Sequence, residues 1–136
     1  MEKKKSKGKT PKQMKKDCWD LFSKMVRLKY SYDDGLCQCY TCGKIDLWKN
    51  LQAGHGIGGR GNYILFQDDV VRPQCYYCNG PLRGNYEIFV PKLIGEIGAK
   101  RYNEHLDASR QVCKLPKGFY EDKIIELKEL LAKLPN

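Results

Sequence analysis

A chain of 136 residues, 41% of them hydrophobic, has room for one modest core and not for two. No apolar run approaches the roughly 18 residues a bilayer span needs, and the opening MEKKKSKGKTPKQMKK has no apolar leader, so the composition excludes a membrane protein and predicts a cytoplasmic one. Lys and Arg total 25 against 16 acids, for a net charge of +9 that favours an anionic partner.

The charge is concentrated at the start. Residues 1–16 carry eight lysines, Lys3, Lys4 and Lys5 among them, and one acid. A segment this rich in Lys, Gly, Ser, Thr and Pro is expected to be a disordered arm that adds salt-dependent affinity for nucleic acid. Residues 17–136 then form a single domain. The first predicted helix runs from Asp17 to about Tyr30, where Trp19, Leu21, Phe22, Met25, Val26 and Leu28 recur at three- and four-residue spacing. Asp33-Asp34-Gly35 ends it with turn chemistry.

Residues 36–80 are rich in Cys and Gly and lack helical periodicity, so short strands and loops are expected. From Asn85 to about Leu106 a helical pattern returns, bent or divided at Pro91 and at Gly95 to Gly98. A last helix spans about Tyr120 to Lys133. Its stripe of Tyr120, Ile124, Leu127, Leu131 and Leu134 reads as intramolecular core more readily than as a dimer seam. The fold class is small α+β.

Seven cysteines cannot all pair, and in a reducing compartment clustered cysteines mean metal. Cys39-Tyr-Thr-Cys42 and Cys75-Tyr-Tyr-Cys78 are two C-x2-C units separated by 32 residues. Each unit presents two sulfurs from one tight turn, and two units close a tetrahedral structural zinc site. Cys37 competes for a place in that set; Cys18 and Cys113 are isolated.

Between the pairs lies Gln52-Ala53-Gly54-His55-Gly56-Ile57-Gly58-Gly59-Arg60-Gly61-Asn62, with His55 beside a glycine loop. It lacks the GK[ST] ending of a phosphate-cradling P-loop. Asn79 directly follows the second pair.

The order C-x2-C, Ala-Gly-His, Gln-Cys-x2-Cys-Asn and Gly-Asn-Tyr resembles the NinG (Rap) recombination nucleases of lambdoid phages. More broadly it is similar to zinc-knuckle HNH, or ββα-metal, endonucleases such as phage T4 endonuclease VII. The similarity covers roughly residues 17–105, with its motifs in 39–86. It implies a zinc-stapled ββα-metal core over about 36–86, with helices over about 85–134. The function it implies is a metal-dependent DNA endonuclease of phage or prophage origin. Such an enzyme cuts branched or junction DNA in recombination or replication, leaving 5′-phosphate and 3′-hydroxyl ends, within the bacterial host cell.

On this resemblance His55 is the general base and Asn79 supplies an oxygen to a catalytic Mg²⁺ or Mn²⁺. Cys39, Cys42, Cys75 and Cys78 are the zinc ligands. The assignment suits the chemistry, because neutral imidazole accepts a proton near neutral pH and a hard cation takes oxygen ligands. Arg60, Arg72 and Arg83 are candidate phosphate contacts. A cutter of symmetric junctions is expected to act as a homodimer.

The chain departs from the family pattern in three places. Gly54 replaces an acidic or histidine ligand, so Asp68 or Asp69 becomes the candidate second ligand. Val70 stands where an asparagine normally braces the loop, and Gly80-Pro81 interrupts the helix carrying Asn79. His105 is expected at the surface or a helix end, Tyr76 and Tyr77 against the zinc, and Asn85 and Tyr86 in a cap and the core. The alternatives are a non-catalytic zinc module that binds nucleic acid and a sequence-specific homing- or packaging-type nuclease.

Overall fold

A computed structural model describes residues 8–59, 61–111 and 113–134. Helix α1 spans Pro11–Lys29, so the basic arm ends earlier than its composition implies. The cause is a capping box: the Gln13 N–H donates to Thr10 Oγ1 at 3.2 Å and the Thr10 N–H to Gln13 Oε1 at 2.9 Å, with Pro11 opening the helix. Lys12, Lys15 and Lys16 therefore project from a helix, and Lys15 reaches Asn62 Oδ1 at 2.8 Å. Lys3, Lys4 and Lys5 lie outside the described residues.

Short elements follow, as the absence of periodicity implies. Strands β1 (Leu36–Gln38) and β2 (Ile45–Leu47) pair antiparallel, and a 3₁₀ turn at Trp48–Asn50 leads into β3 (Gln52–His55). After α2 (Asn62–Leu65) and a 3₁₀ turn at Asp68–Val70, β4 (Val71–Gln74) returns beside β3. Their register sets Gln52 opposite Gln74, Gly54 opposite Arg72 and His55 opposite Val71. One turn of helix, α3 (Tyr76–Asn79), follows β4 and stops at Gly80.

The C-terminal half is helical. Helix α4 (Tyr86–Ile97) continues through Pro91, whose side chain is exposed, and ends at Gly98, where φ is +93°. That left-handed turn, easy for glycine, separates α4 from α5 (Ala99–Ser109). The chain therefore breaks at the Gly98 end of the anticipated region, not at the proline. Helix α6 spans Lys117–Lys133.

Helix α6 packs along α1. Its Tyr120 and Leu127 are buried with Phe22, Met25 and Val26, and Ile124, Leu131 and Leu134 rest against the same cluster. The leucine stripe is thus spent inside one chain. Phe89 and Leu93 from α4 join this core and close over Gly56, where a Cβ would stand 2.6 Å from Leu93 Cδ2. A second, small cluster gathers Cys39, Cys75 and Cys78 with Cys37 and Leu51, while Cys42 is exposed. Among the described residues no helix is long and apolar enough to cross a membrane.

Candidate functional site

Four sulfurs converge where the two hairpins meet. The Sγ atoms of Cys39, Cys42, Cys75 and Cys78 lie within 4.8 Å of one another, the spacing of a tetrahedral thiolate site. The first turn is tied by Cys39 N–H to the Lys44 carbonyl at 2.8 Å, and Gly43 takes a φ of +84° that returns the chain to β2. In the second, Cys75 caps α3 and its Sγ accepts the Cys78 N–H at 3.5 Å. These cysteines are positioned to bind a metal ion, as a structural zinc requires.

Electrostatics point the same way. Burial works against a thiolate at Cys39, yet hydrogen bonds from the Thr41 hydroxyl and nearby backbone N–H groups bring its pKa down to about 6. At Cys42 the Lys44 N–H favours the thiolate, but burial and the three neighbouring cysteines push the pKa up to about 12. Four crowded thiols do not all ionise without a cation among them, and a metal would displace the remaining protons.

Cys37 is excluded from the set. It is fully buried, with its Sγ 3.6 Å from the Arg27 carbonyl and 3.7 Å from the Tyr30 carbonyl. Asn85 sits at the N-terminal cap position of α4, but its Nδ2 points to Cys78 Sγ at 3.7 Å, supporting the sulfur rather than the helix. Tyr86 is exposed rather than in the core. Tyr76 and Tyr77 are 65% and 61% exposed, so neither packs around the sulfurs. Both look outward because Cys75 and Cys78 occupy the inward side of a single helical turn.

Next to the sulfur cluster a groove of about 300 Å³ is lined by Trp19, Arg27, Gln52, His55 and Asn79, with Ser23, Leu51 and Ala53. His55 ends β3 and is 7% exposed. Its Nε2 lies 3.2 Å from the Leu65 carbonyl oxygen, which can only accept, so Nε2 carries the proton and the lone pair of the neutral ring is on Nδ1. Trp19 stacks on the imidazole at 5.3 Å between ring centroids and 19° between planes. Asn79 Nδ2 donates to Gln52 Oε1 at 2.8 Å, which orients the Asn79 carboxamide.

Gly54 has a steric reason. A Cβ there would stand 1.9 Å from Gln74 Oε1 and 3.0 Å from Asn79 Oδ1, so these carboxamides fill the space a ligand side chain would need. Gln74 is fully buried, donating to Thr41 Oγ1 at 3.1 Å and to the Gly84 carbonyl at 2.9 Å. Val70 also finds an explanation. Its side chain is core, and its carbonyl accepts the Gly56 N–H at 2.7 Å. Tyr102 OH donates to the Gly56 carbonyl at 3.3 Å, so backbone bonds on both sides of Gly56 hold the loop after His55.

Other anticipated residues lie elsewhere. Asp69 faces α5, 2.8 Å from His105 Nε2 and 2.9 Å from Arg101 Nε, and does not line the groove. Asp68 pairs with Lys29 at 2.7 Å. His105 is 8% exposed rather than at the surface, held between Asp69 and the Tyr63 hydroxyl at 3.0 Å. Arg72 is 4% exposed and bonds Glu96 at 3.0 Å, with its guanidinium between the rings of Tyr30 and Tyr40. It braces the fold and is not available to a phosphate. Arg83 is exposed at a φ of +54°, and Arg60 lies outside the described residues.

Sequence reasoning missed Arg27, Gln52 and Gln74 as groove or support residues. The four-residue spacing of Trp19, Ser23 and Arg27, which puts them on one face of α1, was the available signal for the wall they form. Neither a curated protein nor a solved structure matches the chain. A family model described as bacteriophage lambda NinG protein matches residues 1–135. The knuckle cysteines that carried the resemblance are those that converge here, and the chain belongs to the bacteriophage lambda NinG family.

Proposed function

We propose that this chain is a metal-dependent DNA endonuclease in which His55 is the general base. The observation that carries the proposal is the bond from His55 Nε2–H to the Leu65 carbonyl, made in the groove that Asn79 also lines. A base for hydrolysis needs a defined tautomer and a fixed ring beside a groove, and His55 has all three. The β3–β4 hairpin followed by α3, with sulfurs at its base, has the element order of a ββα-metal core and supports that reading. Structural zinc at the four cysteines would hold β4 and α3 in place.

The side-chain oxygens in the groove are the Ser23 hydroxyl and the carboxamides of Gln52 and Asn79. With Nδ2 spent on Gln52, Asn79 has its oxygen left for a hard cation, a fit to a largely hydrated Mg²⁺ or Mn²⁺. Such an ion, when bound, supplies positive charge at the phosphate and the leaving oxygen. His55 accepts the proton of the attacking water at Nδ1, Trp19 keeps the ring from turning, and the Gly56 bonds keep it at the rim. The expected ends are 5′-phosphate and 3′-hydroxyl. The family membership supports a phage recombination role on branched or junction DNA. The basic N-terminal segment supports a nucleic-acid partner.

A second reading is a zinc module that binds DNA without cutting it. It is favoured by one observation: among the described residues lining the groove there is no carboxylate. Zinc-loaded protein incubated with four-way junction, flap and linear duplex DNA, with and without added Mg²⁺ or Mn²⁺, separates the two. Divalent-dependent nicking, strongest on the branched substrates, is expected. Binding with no nicking under any condition selects the module, and cleavage at one defined sequence selects a homing- or packaging-type enzyme.

A further inference from the structure

Arg27 and Arg72 are both buried or half-buried guanidinium groups, yet among the described residues only Arg72 of the two forms an ion pair. Among the described residues no carboxylate pairs with Arg27. Its Nε donates to the Ser23 carbonyl at 3.1 Å, one Nη to the Leu51 carbonyl at 3.4 Å, and the group lies over the Trp48 ring at 5.2 Å. Those contacts fix the guanidinium and leave N–H donors of its fork unspent. Partial burial pushes its pKa down, and the nearby Cys37 and Asp20 offset only part of that loss of water, neither forming an ion pair with it. An anion at this point would restore what burial removed.

The position is also informative. Arg27 is the charged side chain among the described residues lining the His55 groove. Trp48, on which it lies, opens onto a second groove of about 520 Å³ whose rim carries Lys24 and Lys49 against one acid, Asp34. Lys49 Nζ stands 6.0 Å from the same indole. A cationic path therefore runs from His55 and Asn79 over Arg27 and Trp48 to two exposed lysines. A chain of phosphates at regular spacing fits such a path, and a planar fork fits a phosphate better than an ammonium does.

We propose that Arg27 binds a backbone phosphate of a DNA strand lying in the His55 groove, and that the strand continues over Trp48 to Lys24 and Lys49. The proposal rests on the reading that this groove takes a DNA phosphodiester. It adds a residue on α1 and an exit direction.

The test is fluorescence anisotropy of a fluorescein-labelled DNA duplex of about 20 base pairs with the zinc-loaded protein, without added divalent ion, over a salt series. Arg27→Gln is expected to weaken binding about tenfold and reduce the salt slope by about one. Arg27→Lys should recover only part of the affinity, and Lys24→Gln/Lys49→Gln should lower the slope by nearly two. Thermal melting checks that each variant folds. If Arg27→Gln does not fold, the exposed lysine pair decides the question alone. Unchanged affinity and slope in folded variants would overturn the path, as would equal competition by poly-glutamate of matched charge. Nicking assays keep the two ideas apart. Lost binding in these variants with no nicking by wild type refutes hydrolysis and keeps the path. Nicking that requires His55, with unchanged binding in the variants, does the reverse.

Discussion

His55 Nε2 and the Leu65 carbonyl oxygen, 3.2 Å apart, join the end of β3 to the end of α2. That single bond couples a tautomer to a fold. Leu65 is buried with Ile64 and Phe66 in the main core, so the carbonyl that orients the imidazole is itself held by packing. The ring cannot turn without breaking this bond and leaving Trp19.

Gly54 meets its limit in two carboxamides. With Gln74 Oε1 at 1.9 Å from an added Cβ and Gln74 fully buried, Gly54→Ala should overpack the β3–β4 hairpin and cost about 1–3 kcal/mol. Urea unfolding measures the loss. A stability within error of wild type would show that Gln74 can move aside freely.

The sulfur cluster should be a condition of folding. Cys39→Ser or Cys78→Ser, or removal of zinc with a strong chelator, is expected to unfold the hairpins around the knuckles, lowering the melting temperature and exposing β3. Near-ultraviolet circular dichroism and zinc content report this together. Full thermal stability of the zinc-free protein would contradict it.

The first seven residues carry Lys3, Lys4, Lys5 and Lys7. Because Thr10 caps α1, the cut that leaves the helix intact falls before it. Deletion of residues 1–7 should weaken DNA binding and flatten its salt dependence, by about 0.9 in slope per lost phosphate contact, with single-turnover cleavage at saturating enzyme nearly unchanged. An unaltered slope would remove the segment from the interface.

Asp69 ties the turn before β4 to α5. Burial raises its pKa, but the His105 bond and the Arg101 cation outweigh that and hold the carboxyl below its ordinary value. The unfolded chain lacks both partners. The stabilisation is therefore complete above the unfolded pKa of about 3.9 and disappears as the pH falls through the lower, folded one. Asp69→Asn should be less stable than wild type at neutral pH, and the gap should close on acidification below the ordinary carboxylate range. Denaturant midpoints along that pH range check it; a constant gap would assign the loss to packing.

Much of this was legible in the sequence. The two C-x2-C turns, His55 with its glycine neighbours, and Asn79 behind the second turn carry their spacing openly, and the stripes on α1 and α6 announce the core. What could not be read is where polar side chains are spent. Nothing local says that Arg72 goes to Glu96 while Arg27 forms no ion pair among the described residues, or that His105 is buried by Asp69 and Tyr63. These are long-range pairings. The start of α1 was legible in Thr10-Pro11-x-Gln13, but eight nearby lysines concealed it under a composition typical of disorder. Gly54 read as a missing ligand because the carboxamide filling its space comes from the opposite strand.

The most direct measurement is single-turnover nicking of branched DNA by wild type and His55→Ala, both zinc-loaded, with binding measured in parallel. The account predicts equal affinity and a rate about 10²–10⁴-fold lower for the variant in Mg²⁺ or Mn²⁺. A folded His55→Ala protein that nicks as fast as wild type would contradict it.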